Sequence, residues 1–288
     1  LLAEIEAGGE DAARRIARAL DGWDGEIEVP DAAIDAACDR VPQTLRDDIA
    51  YAHRNIARFA QAQRDSVREV AVELSPGLVA GQRLIPVGAA GCYVPGGRYS
   101  HIASAMMTVT TARVAGVGHV AAVSPPRADA PAGIPDAILF TLRHCGVDRV
   151  LALGGIQGVA AMAFGLFGLP RADMLVGPGN QYVAEAKRLL YGRVGIDMVA
   201  GPTDSMVIAD ATADPEVVAW DLVGQAEHGA NSPVWLVTDC AALAAEVARL
   251  VPLCAADLPQ PNRSAAEAAW AQLGQIILCQ GAEAMAAY

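Results

Sequence analysis

From His119 onward, short apolar runs alternate with helical segments, and that rhythm limits the chain to α/β architectures. The runs are His119–Ser124 (closed by Pro125-Pro126), Arg149–Leu153, Asp173–Val176, Ser205–Ala209, Pro233–Thr238 and Gln275–Cys279. Between them the spacing predicts helices over Pro135–Cys145, Gln157–Phe164, Gln181–Tyr191, Pro215–His228, Ala241–Leu250 and Ala265–Leu273, with a turn at Pro259–Asn262. Strands alternating with helices argue for a parallel sheet with both faces covered. A further helix is expected over Ile102–Ala115. Residues 1–65 read as helical, with apolar stripes in Leu1–Leu20 and Arg46–Gln63 and a break at Asp21-Gly22-Trp23-Asp24-Gly25.

Composition narrows the function classes. Hydrophobic residues make up 53% of 288 and aromatics only 5%, which suits close packing of helices on sheets. The net charge of −12 repels nucleic acid and anionic membranes and argues against both as partners. Six scattered cysteines form no CxxC pair and read as reduced thiols. No signal peptide is visible in these residues, and no run reaches the roughly 18 apolar residues that a membrane span needs. These features together predict a cytoplasmic protein. The chain opens on Leu and stops at Tyr288 inside a helical pattern, so a C-terminally truncated piece of a longer protein is expected.

Several loops carry possible chemistry. Gly116-Val117-Gly118-His119-Val120-Ala121 has the spacing of a dinucleotide fingerprint but ends a helix and opens a strand, the reverse of what pyrophosphate binding needs. Gly154-Gly155-Ile156-Gln157-Gly158 and Gly177-Pro178-Gly179-Asn180 do lie between a strand and a helix. Glycine lets a ligand approach the backbone, and helix starts favour phosphate. Asn180 also fits an ordinary N-cap, and Gln157 an ordinary first-turn residue. Two such loops shift the balance toward a nucleotide site. Tyr93, at the mouth of Tyr93-Val94-Pro95-Gly96-Gly97-Arg98, either stacks on a flat ring or braces the turn from inside; spacing alone favours the brace. Arg98 and His101 suit an anionic group or an exposed surface equally.

Asp214-Pro215-Glu216 is a helix start, with an N-cap acid and a first-position proline. Gly229 is a fitting stop. The spacing sets Gln225 and His228 three residues apart on one face of the last turn, where the helix dipole favours a cation. Zinc takes nitrogen and oxygen ligands of these kinds. A lone pair of this spacing is more often plain surface. Only five histidines are present, so a multi-histidine site is not available within the chain.

The strings GCYVPGGRYSHIASA, ALGGIQGVAAMAFG, VGPGNQYVAEAKR, GIDMVAGPTDSMVIAD and DLVGQAEHG occur in this order and together resemble the histidinol dehydrogenase family over nearly the whole chain. The resemblance implies a zinc- and NAD-dependent homodimer that oxidises a primary alcohol to a carboxylate through a bound aldehyde. It implies two Rossmann-like parallel-sheet domains after an N-terminal helical segment, one built from residues 1–92 plus 201–288 and carrying the metal helix, the other from 93–200 and binding NAD. It assigns Tyr93, Gln157 and Asn180 to NAD, Thr203 (usually Ser) to substrate, and Gln225 and His228 to both zinc and substrate. The family's catalytic Glu-His pair and its remaining zinc ligands fall beyond Tyr288, so these 288 residues alone are expected not to turn over.

Two departures from the usual pattern stand out. The segment Arg98–Ser104, with Leu84–Val87 before it and Trp235 after the metal helix, is similar to the sulfopropanediol 3-dehydrogenase branch. That branch takes 2,3-dihydroxypropane-1-sulfonate to 3-sulfolactate, and Arg98 would suit a sulfonate. Asp204 stands where a Glu is usual and is one methylene shorter. Histidinol oxidation is the alternative within the family, and a non-catalytic NAD-binding homologue is the alternative outside its chemistry. Intact Gln157, Asn180, Gln225 and His228 argue against the last.

Overall fold

The structure, a computed structural model, describes residues 1–96, 101–199 and 203–288. The chain divides into two compact units, Leu1–Gly201 and Pro202–Tyr288. The first contains helices α1 (Leu2–Asp21), α2 (Asp31–Arg40) and α3 (Gln43–Ser66), then a hairpin of β1 (Val70–Ser75) and β2 (Leu78–Gln82). The alternating part follows: β3 (Ala89–Tyr93), α4 (Ile102–Val114), β4 (His119–Ser124), α5 (Asp136–Cys145), β5 (Arg149–Ala152), α6 (Gly155–Phe164), β6 (Met174–Val176), α7 (Gln181–Leu190) and β7 (Gly195–Ile196).

These last five strands form one parallel sheet in the order β5-β4-β3-β6-β7. That is the doubly wound order, with the chain stepping one way from β3 to β5 and the other way from β6 to β7. Side chains alternate across β4. Ala121 and Val123 join Ile5, Ile16, Val159 and Val183 on one face, while Val120 and Ala122 join Ile34, Ile49, Val109 and Leu139 on the other. Both faces are thus dry, so the strands read as unbroken apolar runs. Backbone bonds from Val29 N to Val150 O (2.9 Å) and Ala152 N to Ile27 O (2.7 Å) cover the outer edge of β5.

The second unit holds β8 (Ser205–Ile208), α8 (Pro215–Ala226), β9 (Val234–Thr238), α9 (Ala241–Asp257), α10 (Asn262–Leu273), β10 (Gln275–Leu278) and α11 (Ala282–Ala287). Its three strands are parallel in the order β10-β9-β8, with Val218, Leu222, Val234, Leu236 and Val247 in one core.

The fold class agrees with expectation: an α/β chain with parallel sheets behind an N-terminal helical segment. Several boundaries differ. β3 is not among the expected strands, because Ala89-Ala90-Gly91-Cys92 lacks the β-branched residues that mark strands. As the buried central strand, β3 puts Ala89–Cys92 in the same sheet as Tyr93, so no domain boundary falls between Cys92 and Tyr93. α1 packs on α6, α2 on α5 and α3 on α4, so these helices group with the five-stranded sheet and the division falls at Gly201/Pro202. α9 runs past the expected stop at Leu250, through Pro252. Its apolar spacing continues at Val251, Cys254 and Ala255, and that burial outweighs the hydrogen bond the proline cannot make. α10 begins at Asn262 rather than Ala265. α4 ends at Val114 and β4 opens at His119, so the Gly116–Ala121 string is a helix stop, as its position implied. All six cysteines are free, and no helix among the described residues is long and apolar enough to cross a membrane.

Candidate functional site

In this strand order the direction of winding reverses between β3 and β6, and the carboxyl ends of those strands border the crevice where such sheets bind ligands. The loop after β3 begins at Val94, and Gly177-Pro178-Gly179-Asn180 follows β6. Gly154 and Gly155 follow β5 and open α6.

Tyr93 ends β3 and is 3% exposed. Its phenol oxygen accepts from Gly155 N at 3.0 Å, so the side chain reaches over β4 to the loop after β5. Burial holds its pKa above the ordinary phenol value. The structure therefore displays the brace that spacing favoured. Tyr93→Phe leaves Gly155 N without its acceptor and is expected to cost about 1–2 kcal/mol. Denaturant unfolding measures this, and an unchanged midpoint would mean that the bond contributes nothing.

Gln157 is 1% exposed. Its Nε2 donates to Asp21 Oδ2 at 2.7 Å, while Oε1 is buried with no partner among the described residues. A buried, unsatisfied carbonyl at the start of α6, beside two glycines, has the chemistry of a ligand contact. Asp21, at the end of α1, is the site residue that sequence reasoning missed, because in the string it reads only as part of a helix break. Desolvation raises its pKa, opposed by hydrogen bonds from Gln157 and Gly154. The folded state therefore binds this proton more tightly than the unfolded chain. Its contribution to stability is fully present below the unfolded value of about 3.8 and is lost as pH rises through the raised folded value. Asp21→Asn removes that loss, so the variant should gain stability relative to the parent as pH rises through this window. Thermal melts across the acid range check it; parallel curves would sink it.

Asn180 is exposed and caps α7, its Oδ1 accepting from Tyr182 N (3.0 Å) and Val183 N (3.1 Å). Its oxygen is committed to the cap, and its Nδ2 group is the part that can reach a ligand. Arg98 lies outside the described residues. His101 is the N-cap residue of α4.

In the second unit, Asp214 Oδ1 accepts from Glu216 N at 2.8 Å, with Pro215 in the first helical position, so α8 starts as predicted. It ends two residues early, at Ala226, so His228 lies in the turn after the helix. His228 N donates to Gln225 O at 3.1 Å, which keeps the three-residue relation by a tighter turn. Gln225 Nε2 donates to both Thr203 O (3.0 Å) and Thr203 Oγ1 (3.1 Å). The structure thus brings together Thr203 and Gln225, 22 positions apart. With Nε2 so held, Oε1 is the amide atom left to coordinate, which matches the oxygen donor expected for zinc. Among the described residues no group of three or more His, Cys, Asp or Glu side chains could hold a metal.

Comparison with known proteins gives these loops a family. The family model described as histidinol dehydrogenase matches residues 1–288. The chain belongs to the histidinol dehydrogenase family. It is 63% identical over 287 residues to a histidinol dehydrogenase homolog of Ruegeria pomeroyi and 58% identical over 287 residues to that organism's sulfopropanediol 3-dehydrogenase, covering 100% of this chain and 66% of each relative. The crystal structure of histidinol dehydrogenase from Elizabethkingia anophelis superposes with a TM-score of 0.87 at 33% identity, over 97% of this chain and 64% of that one. The chain therefore spans about two thirds of the length of these relatives.

Proposed function

We propose that the protein to which this chain belongs is an NAD- and zinc-dependent dehydrogenase that oxidises a small primary alcohol to a carboxylate through a bound aldehyde. The observation that carries this reading is the double hydrogen bond from Gln225 to Thr203 beside His228. It holds the Thr203 hydroxyl against the last turn of α8, three residues before His228, and so supports a shared site for metal and substrate. Gln157 and Asn180, with the glycine loops around them, serve the nicotinamide cofactor, and Tyr93 supports them from the sheet. A zinc ion held in part by Gln225 and His228 would fix the substrate's polar groups. Thr203 and Gln225 orient the alcohol. In this reading none of these residues is the base that takes the hydroxyl proton.

The proposed substrate is 2,3-dihydroxypropane-1-sulfonate, giving 3-sulfolactate. Supporting it is the 58% identity to sulfopropanediol 3-dehydrogenase, against 40% over 260 residues to the histidinol dehydrogenase of Thermus thermophilus. We place the reaction in the cytoplasm, carried out by a homodimeric enzyme. NADH formation by the full-length protein with each alcohol tests the reading. A higher kcat/KM for histidinol would replace the substrate, and NAD binding without turnover of any alcohol would favour a non-catalytic homologue.

A further inference from the structure

The chain has 21 basic residues, and all but one are arginines. The exception, Lys187 on α7, is 1% exposed, the largest fully buried side chain among the described residues. Arginine meets every other need for positive charge. A lysine here points to a compact ammonium whose donors can be aimed separately in a closed space.

Its partners show what it is aimed at. Lys187 Nζ donates to Gly177 O at 2.9 Å and pairs with Asp197 Oδ1. Asp197 Oδ2 accepts from Gly177 N at 2.7 Å, and Oδ1 also accepts from Met198 N at 2.6 Å. The ion pair therefore grips both backbone polar atoms of Gly177, the first residue of the loop ending at Asn180. Gly177 has φ 114°, and its Cα faces the carbonyl oxygen of Tyr93. Glycine adopts that φ without strain and equally adopts others, so the bonds to Lys187 and Asp197 select this one conformation.

We propose that the ion pair between buried Lys187 and solvent-accessible Asp197 is a positioning device for the Gly177–Asn180 loop, fixing it in the form that receives a dinucleotide. This rests on the reading that the loop binds NAD. Both residues act through Gly177, whose N–H and C=O they hold. Asp197→Asn isolates the effect because it keeps size and shape. Whichever way the new amide turns, an NH2 group faces either Gly177 N–H or the lysine ammonium, so one contact becomes donor against donor. Lys187→Met removes the ammonium that Gly177 O and Asp197 share and leaves the carboxylate to solvent and its two backbone N–H donors. The double variant Lys187→Met/Asp197→Leu removes both charges, so neither is left without its partner, and still releases Gly177.

The test uses the full-length protein: NAD affinity by fluorescence titration, the KM values for NAD and alcohol, kcat, zinc content and melting temperature. The expected result is an NAD Kd and KM raised about tenfold or more in Asp197→Asn and in the double variant, with zinc content and the alcohol KM unchanged and kcat falling less. If Lys187→Met fails to fold, the double variant carries the test. A lower melting temperature with unchanged NAD Kd would make the pair merely structural and overturn the proposal alone. Failure of the unaltered protein to bind NAD would overturn both the proposal and the cofactor reading.

Discussion

Gly177→Ala is expected to destabilise the protein by about 4 kcal/mol, lowering its melting temperature by roughly 10 °C. Two causes act together. At φ 114° an alanine is strained whatever its surroundings, at about 1–3 kcal/mol. Its Cβ would also overlap the carbonyl oxygen of Tyr93, which belongs to the central strand β3 and cannot move aside as a side chain could. Gly192 separates the two causes. It has φ 94° and nothing within 4 Å of where a Cβ would stand, so Gly192→Ala carries strain without overlap and should cost only about 1–2 kcal/mol. Equal losses in the two variants would show that the contact with Tyr93 does not matter. A Gly177→Ala protein that melts within about 2 °C of the parent would refute the close approach itself.

The contrast between these glycines shows what the sequence could and could not reveal. The Gly177–Asn180 loop was legible because glycine and proline between a strand pattern and a helix pattern have few other uses. Asn180 as a cap and Asp214-Pro215 as a helix start were legible for the same local reason, and β4 was legible at both ends. What the pattern does not contain is distance. The bond from Gln157 to Asp21 spans 136 positions, and no spacing rule reaches that far. Lys187 was available in principle, since a lone lysine among arginines is visible in the string, but its burial emerges only when α7 meets the sheet. β3 was hidden by its own environment. A strand enclosed on both sides needs small residues where helices press close, and Gly91 meets Met162 and Leu175. Ala-Ala-Gly-Cys therefore serves the core while lacking the usual strand signature.

If His228 is the zinc ligand proposed above, replacing it by alanine in the full-length protein should reduce kcat/KM by about 100-fold or more, with loss of zinc, while changing stability by only about 1 kcal/mol or less. The stability figure is small because His228 is exposed and lies beyond the end of α8. A large loss of activity therefore cannot be ascribed to unfolding. Gln225 provides the sharper comparison. Gln225→Ala removes the oxygen proposed to coordinate zinc and both bonds to Thr203, and should match His228→Ala. Gln225→Glu keeps an oxygen for the metal but turns a carboxylate oxygen toward Thr203 O, where Nε2 had donated at 3.0 Å. Two acceptors then face each other, so the side chain must rotate, and zinc affinity should fall by about 10–100-fold even though a stronger ligand has been introduced. Thr203→Val removes only one of the two acceptors, because the backbone oxygen still receives Nε2, so zinc should be retained. Any activity it loses then reports the hydroxyl's role toward substrate. Measured zinc content and kcat/KM across the four variants decide the matter. If Gln225→Glu bound zinc as tightly as the parent, the bond to Thr203 would not orient the ligand. If His228→Ala kept both zinc and activity, the end of α8 would not be the metal site.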